Sequence, residues 1–310
     1  MDSLSTLVKS MGLQGSVDLL CRFAGSWVLE HEARTDGQVP WHMILGGHGV
    51  LEVGRLRTQL ESGDLVLFPR GAAHILRNAS DSAPVAYAET RSSQGLVTQV
   101  DRTGGASDFD VLCGMFELGQ QRSLLLQALP DVVHIPTRDR EDCVWLDAMM
   151  RMMRHESVQA QPGGSAVIEE LSRALFTVVI RTLMARGTMK HGLLGLLTEP
   201  RLSLAIAAVI AAPAQPWTVE SLARQSNMSR ASFARRFAEV SEMTPLDVVT
   251  ALRMDLAGRL LRESQRPTEL IAEECGYASR PAFGRAFKRF HGVTPATYRR
   301  QLSGGDASVG

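Results

Sequence analysis

The chain has 310 residues, of which 45% are hydrophobic, which is enough for two domains with separate cores. No apolar run reaches the ~20 residues needed to span a bilayer, and the N-terminus lacks a signal-peptide core, so we expect a soluble, cytoplasmic protein. The four cysteines, none in a C-x-x-C pair, exclude a disulfide framework and argue against a structural zinc site.

The formal net charge is zero, but the charges are unevenly divided. Residues 1–216 contain 19 Lys and Arg against 23 Asp and Glu, a net charge of −4. Residues 217–310 contain 14 against 10, a net charge of +4, and 13 of these 14 cations are arginines. An arginine-rich segment joined to an acidic one favours a polyanionic partner for the C-terminal part.

Residues 1–90 predict a β-rich domain, with short β-forming runs such as 65–68 and 85–87 between glycine-rich turns. Residues 63–78 read GDLVLFPRGAAHILRN and fit the second cupin motif, G-x5-P-x-G-x2-H-x3-N, at every fixed position. The front part therefore resembles the cupins, which implies a double-sheet β-barrel of the jelly-roll type with His74 pointing into it.

The first cupin motif, which usually supplies two histidines one residue apart and a glutamate, is incomplete in this chain. His42 has Ile44 in the partner position, and His48 and Glu52 follow at altered spacing. A metal ion needs three or four well-placed ligands, and here only His42 and His74 are placed. We therefore expect no metal and no other cofactor, a hydrogen-bonded His74, and a candidate ligand pocket that contains His42 and His74.

The middle of the chain changes from strand to helix. Residues 91–108 are rich in Ser, Gly, Thr and Gln and predict a mobile loop, and a strand follows over 110–118. Apolar residues at helical spacing predict a helical pair over 141–185 with a turn at 161–164, which relays a signal or forms a dimer contact. Residues 187–200 are expected to form a linker.

The C-terminal part contains an internal repeat at an offset of 50 residues. In each copy a serine stands where a helix N-cap is needed, and two phenylalanines four residues apart share a face that we expect to pack inward. The matched positions are Ser229/Ser279, Arg230/Arg280, Phe233/Phe283, Arg235/Arg285, Phe237/Phe287 and Thr244-Pro245/Thr294-Pro295.

The opposite face of each repeated helix combines arginines with small residues. A short amphipathic helix that opens with threonine precedes each copy, at 218–225 and 268–275. Short helix, tight turn and capped second helix form the helix-turn-helix pattern, in which small residues admit the backbone to the groove and arginine reaches guanine or phosphate. A protein-binding helical repeat with solvated arginines is the alternative. The predicted DNA-binding residues are Arg230, Ala231, Ala234, Arg235, Arg280, Pro281, Gly284 and Arg285.

Four segments carry a further resemblance: WTVESLA from Trp217, MSRASFARRF from Met228, CGYAS from Cys275 and FGRAFKRFHGVTPATYR from Phe283. On these segments, residues 200–302 resemble the DNA-binding domain of AraC-type transcription regulators. The resemblance implies seven helices, with a long central helix over 245–262 between the two helix-turn-helix units. It also implies that the two reading helices enter successive major grooves of double-stranded promoter DNA on one face, ~34 Å apart.

The front half resembles the cupin-type sensor domain of a subset of AraC-type regulators, including a reactive-chlorine-responsive subgroup. This resemblance implies that Cys21 and Cys113 are candidate redox residues. A redox role needs an exposed, low-pKa thiolate, to which Arg22 beside Cys21 would contribute. The alternative is that both are buried and act as small apolar residues, as we expect for Cys143 and Cys275.

The sequence thus predicts an α+β, two-domain transcription regulator that is not an enzyme, with an N-terminal cupin-like β-barrel and helical pair and a C-terminal all-α domain. The expected boundaries are 1–140 for the sensor, 141–190 for the helical pair, 191–302 for DNA binding and 303–310 for a disordered tail. Its expected effector is a small molecule or oxidant. Its other expected partners are a second copy of the chain and, for an activator, RNA polymerase. The alternatives are a cupin metalloenzyme with an appended DNA-binding domain and a constitutive architectural protein.

Overall fold

The computed structural model describes residues 2–35, 37–78, 87–93, 96–103, 106–118, 124–138, 140–159 and 161–304. The chain forms two compact units. The barrel unit consists of Leu13–Glu117 and Leu129–Thr182, and the helical unit of Met1–Gly12, Leu118–Ala128 and Leu183–Gly310. Most of the strand predicted at 85–87 and of the tail predicted at 303–310 lies outside the described residues. The domain boundaries expected at 140 and 190 stay predictions.

Ten strands are found among the described residues of the barrel unit: β1 (Leu13–Phe23), β2 (Val28–His31), β3 (Gln38–Val53), β4 (Leu56–Glu61), β5 (Asp64–Leu67), β6 (His74–Asn78), β7 (Thr90–Ser92), β8 (Thr98–Arg102), β9 (Phe109–Leu118) and β10 (Val133–Pro136). Their order is β10-β5-β3-β9-β1-β8-β7, while β4 and β6 pair with β3, and β2 pairs with β6. Helices α3 (Val144–Gln159) and α4 (Gly164–Ala185) follow the strands. They confirm the predicted helical pair.

Strand β3 turns the sheet into a cupin-like half-barrel because it belongs to both layers. Its first half pairs with β5 and β9, and its second half with β4 and β6. A bulge between Ile44 and Gly46 separates the halves, and a bulge bends and twists a strand. At Gly47, φ is 81° and an added Cβ would lie 1.7 Å from the carbonyl oxygen of Asp108, so only glycine fits the bend. The curled sheet confirms the expected fold.

The barrel interior is apolar and contains a stack of three aromatic rings. Trp27 lies between Phe23 of β1 and Phe109 of β9, with ring centroids 4.9 Å and 4.5 Å away. Further interior residues are Cys21, Ile44, Leu51, Leu60, Val66, Phe68, Leu76, Val100, Val111 and Cys113. Burial of these side chains holds the two layers together, since each large apolar side chain removed from water contributes about 1.5–3 kcal/mol.

The helical unit contains α1 (Ser3–Ser10), α2 (Leu124–Gln127), α5 (Gly192–Thr198), α6 (Leu202–Ala211), α7 (Val219–Gln225), α8 (Arg230–Ser241), α9 (Pro245–Glu263), α10 (Thr268–Glu274), α11 (Arg280–His291) and α12 (Pro295–Gly304). The last seven of these confirm the helix count that the resemblance implied for the DNA-binding part. Helix α9 is the long central helix, and eight of its eleven buried residues belong to the two apolar clusters around it, four to each.

Two predictions of irregular structure were wrong. The segment 91–108 contains β8, which pairs in parallel with β1 from Leu19↔Thr98 to Phe23↔Arg102. The segment 187–200 contains α5, whose Leu193, Leu194 and Leu196 are buried. In both places long-range packing outweighed a local composition typical of loops.

Among the described residues, no single helix has the length and apolar character needed to cross a membrane. In the same described part of the chain, one pair of helices, α5 and α6, satisfies that requirement when the two are taken together, and they are bent by 107° at the break between them.

Candidate DNA-reading face and histidine–cysteine cluster

Both repeated helices begin at the serines that the sequence predicted as caps. The Ser229 hydroxyl accepts a hydrogen bond from the backbone N–H of Ser232 at 3.3 Å, and the Ser279 hydroxyl accepts one from Ala282 at 3.4 Å. These bonds satisfy backbone donors in the first turn that have no partner within the helix. The caps are confirmed, and each one fixes where its reading helix starts.

The paired phenylalanines hold each reading helix by its inner face. Phe233 and Phe237 are 0% and 1% exposed, with ring centroids 5.3 Å apart. Phe283 and Phe287 are both 0% exposed, with centroids 5.7 Å apart. Since residues four apart share one side of a helix, burial of these rings turns the other side outward. The inward-packing prediction is confirmed in both copies.

The outer faces carry all eight residues predicted to read DNA. Six are exposed, and Ala234 and Gly284 are half-buried. The Arg235 side chain is 78% exposed. An added Cβ at Gly284 would meet nothing within 4 Å, so the backbone there faces open space. The exposed members are Arg230, Ala231, Arg235, Arg280, Pro281 and Arg285.

Acidic residues of the same unit hold the first arginine of each reading helix. Arg230 Nε lies 2.7 Å from Glu220 Oε1 of α7, and Arg280 Nη1 lies 2.8 Å from Glu269 Oε1 of α10. All four side chains are at least half exposed, so these pairs contribute little to stability. Arg230 and Arg280 can therefore give up these ion pairs at little cost, for example to contact a phosphate.

The two candidate redox cysteines are in contact inside the barrel. Cys21 of β1 and Cys113 of β9 lie on neighbouring strands, and both are buried. The hydrogen bond that Cys113 donates lowers the pKa of Cys21, and the same bond together with burial raises the pKa of Cys113. The structure thus lacks the exposure that we expected a redox role to need and has the burial that the alternative predicted, but it brings the two thiols into contact.

Arg22 does not assist Cys21, although it is the next residue. Its guanidinium pairs with Asp101 at 3.2 Å and with Asp110 at 3.7 Å, because successive side chains of a strand point to opposite faces. The cation that acts most strongly on Cys21 is Arg102, whose charge lowers the pKa of Cys21 after the larger effect of Cys113.

The other two cysteines are core residues, as expected. Cys143 is 0% exposed, and its Sγ donates to the carbonyl oxygen of Pro136 at 3.7 Å. Cys275 is also 0% exposed, and burial raises its pKa to about 12. The raised pKa makes the Cys275 thiol a poor target for oxidation, because the thiolate is the reactive form.

Three imidazoles lie next to Cys113. His42 stands opposite Cys113 in the register of β3 and β9, and its Nε2 is 2.7 Å from His74 Nε2. His31 stands opposite His74 in the register of β2 and β6, and its ring centroid is 4.5 Å from that of His42. The ligating atoms of His31, His42 and Cys113 all lie within 4.8 Å of one another.

The hydrogen bonds of His74 fix the protonation of the group. Its Nδ1 donates to the carbonyl oxygen of Ala72 at 2.7 Å, which leaves Nε2 with a lone pair when the ring is neutral. His42 therefore donates from Nε2 to His74, and His42 Nδ1 keeps a lone pair. Among the described residues, neither His42 Nδ1 nor His31 Nε2 has a hydrogen-bond partner, although both atoms are buried.

Burial keeps all three rings neutral at physiological pH. It lowers the pKa of His31 and of His74 to about 4, and it lowers the pKa of His42 well below its usual range. Neighbouring histidines add to this effect at His31 and His42, because a second positive charge would be repelled there. Neutral imidazoles with free lone pairs are hydrogen-bond acceptors or metal ligands.

The residues that the incomplete first cupin motif offered do not join this group. Glu52 pairs with Arg77 at 3.2 Å and with Arg57 at 3.6 Å, and His48 is exposed. His31 was missed by the sequence analysis, since it lies in the four-residue strand β2 outside both motifs. Only its spacing of two residues from Leu29, which contacts the interior cluster, hints that it points inward.

Comparisons with known proteins agree with this two-part organisation. A family model described as Cupin matches residues 2–185, and one described as a helix-turn-helix domain matches residues 222–301. The chain is 32% identical over 305 residues to RclR of Escherichia coli, an RCS-specific HTH-type transcriptional activator, with 97% of this chain and 98% of that protein covered. It is 33% identical over 321 residues to the HTH-type transcriptional regulator AlkR of Acinetobacter baylyi, with 97% and 100% covered.

Among solved structures, the DNA-binding domain of AdpA in complex with a target DNA is 30% identical, with a TM-score of 0.32 over 35% of this chain and 96% of that chain. The cupin match covers more than half of the present chain, and the relatives align over nearly all of it. With two capped, phenylalanine-anchored helix-turn-helix units at its C-terminal end, the chain belongs to the AraC-type, DNA-binding transcription regulators that carry a cupin-type N-terminal domain.

Proposed function

We propose that this regulator senses an oxidant of the hypochlorous acid class through Cys21 and Cys113 and changes its binding to promoter DNA in response. The observation that carries the proposal is the hydrogen bond between the two thiols on neighbouring strands. The relative RclR, which aligns over almost the whole chain, is named an RCS-specific activator, and this supports an effector of that class.

The chemistry converts the thiol–thiol contact into a covalent bond. Hypochlorous acid transfers chlorine to the sulfur of Cys21, and the thiol proton leaves with the hydroxide as water. The sulfur of Cys113 then attacks the sulfur–chlorine bond, which forms the disulfide and releases chloride and a proton. Two thiols are oxidised and one oxidant molecule is reduced, so the step needs no other reagent.

Strand pairing makes this disulfide accessible without unfolding. Cys21 and Cys113 lie on neighbouring strands and already share a hydrogen bond, so a small approach brings them within the range that disulfides span. The sulfur atoms must still approach from hydrogen-bond contact to a bond length of about 2 Å. Strands β1 and β9 therefore have to shift slightly, and in a close-packed interior such shifts favour one of two discrete arrangements.

The test starts by mapping bound genomic sites with and without hypochlorite, which supplies the cognate DNA. Fluorescence anisotropy then measures affinity for that DNA before and after oxidation. We expect hypochlorite to change the affinity of the wild type and of Cys143→Ser, which alters a buried thiol of the same unit, but not that of Cys21→Ser or Cys113→Ser. A normal response in folded Cys21→Ser would refute the oxidant model.

A small-molecule effector is the second candidate, and one cavity favours it. A cavity of about 390 Å³ in the barrel unit is lined by polar residues of β1 and α4, among them Gln14, Ser16, Ser165 and Glu169. His42 and His74, the residues predicted for a ligand pocket, do not line it. An effector bound here would act equally on the wild type and on Cys21→Ser, which separates the two models.

We also propose that the barrel acts as a sensor and has no catalytic activity. Phe68 stacks on His74 with ring centroids 3.6 Å apart, so protein fills the space that a substrate would need beside the imidazoles.

We further propose that the protein is cytoplasmic, contacts RNA polymerase and forms a homodimer. The test for the homodimer is Trp145→Glu, because Trp145 of α3 is 70% exposed, and sedimentation would report any loss of the dimer.

A further inference from the structure

The imidazoles of His31 and His42 and the thiol of Cys113 have the number and type of protein donors found in zinc sites that keep one position open. The ligating atoms of His31, His42 and Cys113 lie within 4.8 Å of one another, and His74 Nε2 is 2.7 Å from His42. Bond lengths of ~2.0–2.1 Å to nitrogen and ~2.3 Å to sulfur place tetrahedral zinc donors ~3.3–3.6 Å apart. Movements on the order of 1 Å would therefore suffice to surround one ion.

Two of these donors are buried nitrogens that lack a hydrogen-bond partner among the described residues, namely His31 Nε2 and His42 Nδ1. Buried polar atoms in native proteins nearly always have a partner, so each such atom calls for an explanation. A cation placed between the rings would explain both atoms, because it would be their missing partner. His42 itself is only 1% exposed, so bulk water is a poor substitute.

His74 holds His42 in the orientation that metal-binding histidines usually have. The Nδ1–H of His74 donates to the Ala72 carbonyl oxygen at 2.7 Å, so its Nε2 accepts the Nε2–H of His42, also at 2.7 Å. A ligating histidine typically gives its other ring N–H to a hydrogen-bond acceptor, since this fixes the tautomer and the ring plane. Phe68, stacked at 3.6 Å, restricts the His74 ring further.

We propose that the barrel binds one zinc-class ion through His31 Nε2, His42 Nδ1 and the Cys113 thiolate, with His74 orienting the ring of His42. This set differs from the one that the cupin motifs would supply, because Glu52 is occupied by arginines and His48 is exposed. A thiolate among imidazoles selects zinc or copper(I) over magnesium and calcium, which prefer oxygen. The proposal revises the sequence expectation that the chain holds no metal.

Metal binding and the disulfide exclude each other because both need the Cys113 sulfur. This coupling rests on the oxidant model proposed above. With zinc bound, the Cys113 thiolate, the Cys21 thiol and one hypochlorous acid become the disulfide, chloride, water and a free zinc ion. The Cys21 proton and the oxygen of the oxidant leave together as water. Release of the ion would therefore accompany oxidation, one ion for each disulfide.

The site itself is tested without any oxidant. The reduced full-length protein, stripped with a chelator, is titrated with zinc, and the bound metal is measured by mass spectrometry. Cobalt(II) then replaces zinc, since a thiolate ligand produces an intense near-ultraviolet charge-transfer band. We expect one ion per chain in the wild type and in the controls His48→Gln and Cys143→Ser. We also expect weaker binding in His31→Gln and no charge-transfer band in Cys113→Ser.

Wild-type binding and spectra in both His31→Gln and Cys113→Ser would overturn the site, as would a wild type that takes up no zinc. Circular dichroism checks that each variant is folded. If His31→Gln fails to fold, the wild-type cobalt spectrum decides, because a cobalt complex without the thiolate band contradicts Cys113 as a ligand.

The coupling is tested by adding hypochlorite to the zinc-loaded protein in the presence of a zinc indicator. We expect one zinc released per disulfide in the wild type and no disulfide in Cys21→Ser. If zinc binds but DNA affinity is insensitive to oxidation, the proposed function fails and the site stands. If DNA affinity responds to oxidation in a protein that never binds zinc, the site fails and the oxidant model stands.

Discussion

Arg230 and Glu220 form an ion pair at the start of the first reading helix, Nε to Oε1 at 2.7 Å. The pair joins α8 to α7, the two helices of the helix-turn-helix unit. If Arg230 faces DNA as predicted, a carboxylate this close to it also repels phosphate, so the same contact that holds the arginine in place opposes binding.

Glu220→Gln should therefore strengthen DNA binding. An exposed pair of this kind is worth about 0.2–1 kcal/mol, which corresponds to an affinity gain of up to about fivefold. Anisotropy titrations at one fixed salt concentration measure it, because protein–DNA affinities depend steeply on salt. Glu263→Gln, which removes the partner of Arg259 on α9, is the control and should leave affinity near the wild-type value. Weaker binding by Glu220→Gln would contradict this role.

Arg235→Ala and Arg285→Ala should each cost about 1–3 kcal/mol of specific binding, since both side chains are exposed on the outer faces of α8 and α11. The loss would be smaller on unrelated DNA if the arginines contact bases. Competition with mutated sites measures this difference. Arg259→Ala of α9 serves as the charge-matched control. Unchanged affinity for the cognate site in either reading-face variant would contradict the assigned face.

Gly284→Ala should separate stability from DNA binding. The added methyl group meets nothing within 4 Å, and alanine favours a helix interior over glycine by about 0.5–1 kcal/mol. Urea denaturation should therefore show a more stable protein. If the helix backbone approaches the groove floor at this position, the same methyl group will weaken binding to cognate DNA. A variant with both higher stability and full affinity would show that Gly284 stands clear of the DNA.

Asp255→Asn should stabilise the protein at neutral pH. Asp255 is 4% exposed, and burial raises its pKa well above the usual range, although a hydrogen bond from the Leu124 backbone opposes the shift. The folded state holds a proton that the unfolded state releases above pH ~3.9, so wild-type stability falls as pH rises. We expect asparagine to gain about 1–3 kcal/mol at neutral pH and little at about pH 4, measured by urea denaturation. An equal effect at both pH values would contradict the buried-carboxyl explanation.

His291 should make the helical unit sensitive to acid. Its Nε2 donates to the Met254 carbonyl oxygen at 3.0 Å, and burial lowers its pKa to about 4. Because the unfolded state takes up a proton below pH ~6.5 and the folded state does not, stability is lost as pH falls from about 6.5 to about 4. His291→Gln keeps a donor and should flatten this dependence by up to about 2–3 kcal/mol. Parallel pH profiles for both proteins would argue against His291 as the cause.

The helical unit was the easier part to predict because its signals are local. Ser229 and Phe233 act within one turn of one helix, and the offset of 50 residues repeats the same signals at Ser279 and Phe283. The caps, the buried rings and the exposed arginines could therefore be placed from the sequence.

The histidine–cysteine cluster depends on strand register, which the sequence leaves open. His31 meets His74 only because β2 pairs with β6, and Cys113 faces His42 only because β3 pairs with β9 in one particular register. A shift by one residue would turn these side chains to the other face. The bulge at Ile44/Gly46 likewise separates the half of β3 that contains His42 from the half that contains Glu52, in agreement with the altered motif spacing that left Glu52 out of the predicted pocket.

The stack of Trp27 between Phe23 and Phe109 provides a built-in optical reporter. Phe23 is two residues from Cys21 on β1, and Phe109 is four residues from Cys113 on β9. Any sliding of these two strands must change the contacts of the indole ring, and with them its emission. Stopped-flow fluorescence of the unlabelled protein can therefore time events in the barrel, with Trp27→Phe identifying the part of the signal that comes from this ring.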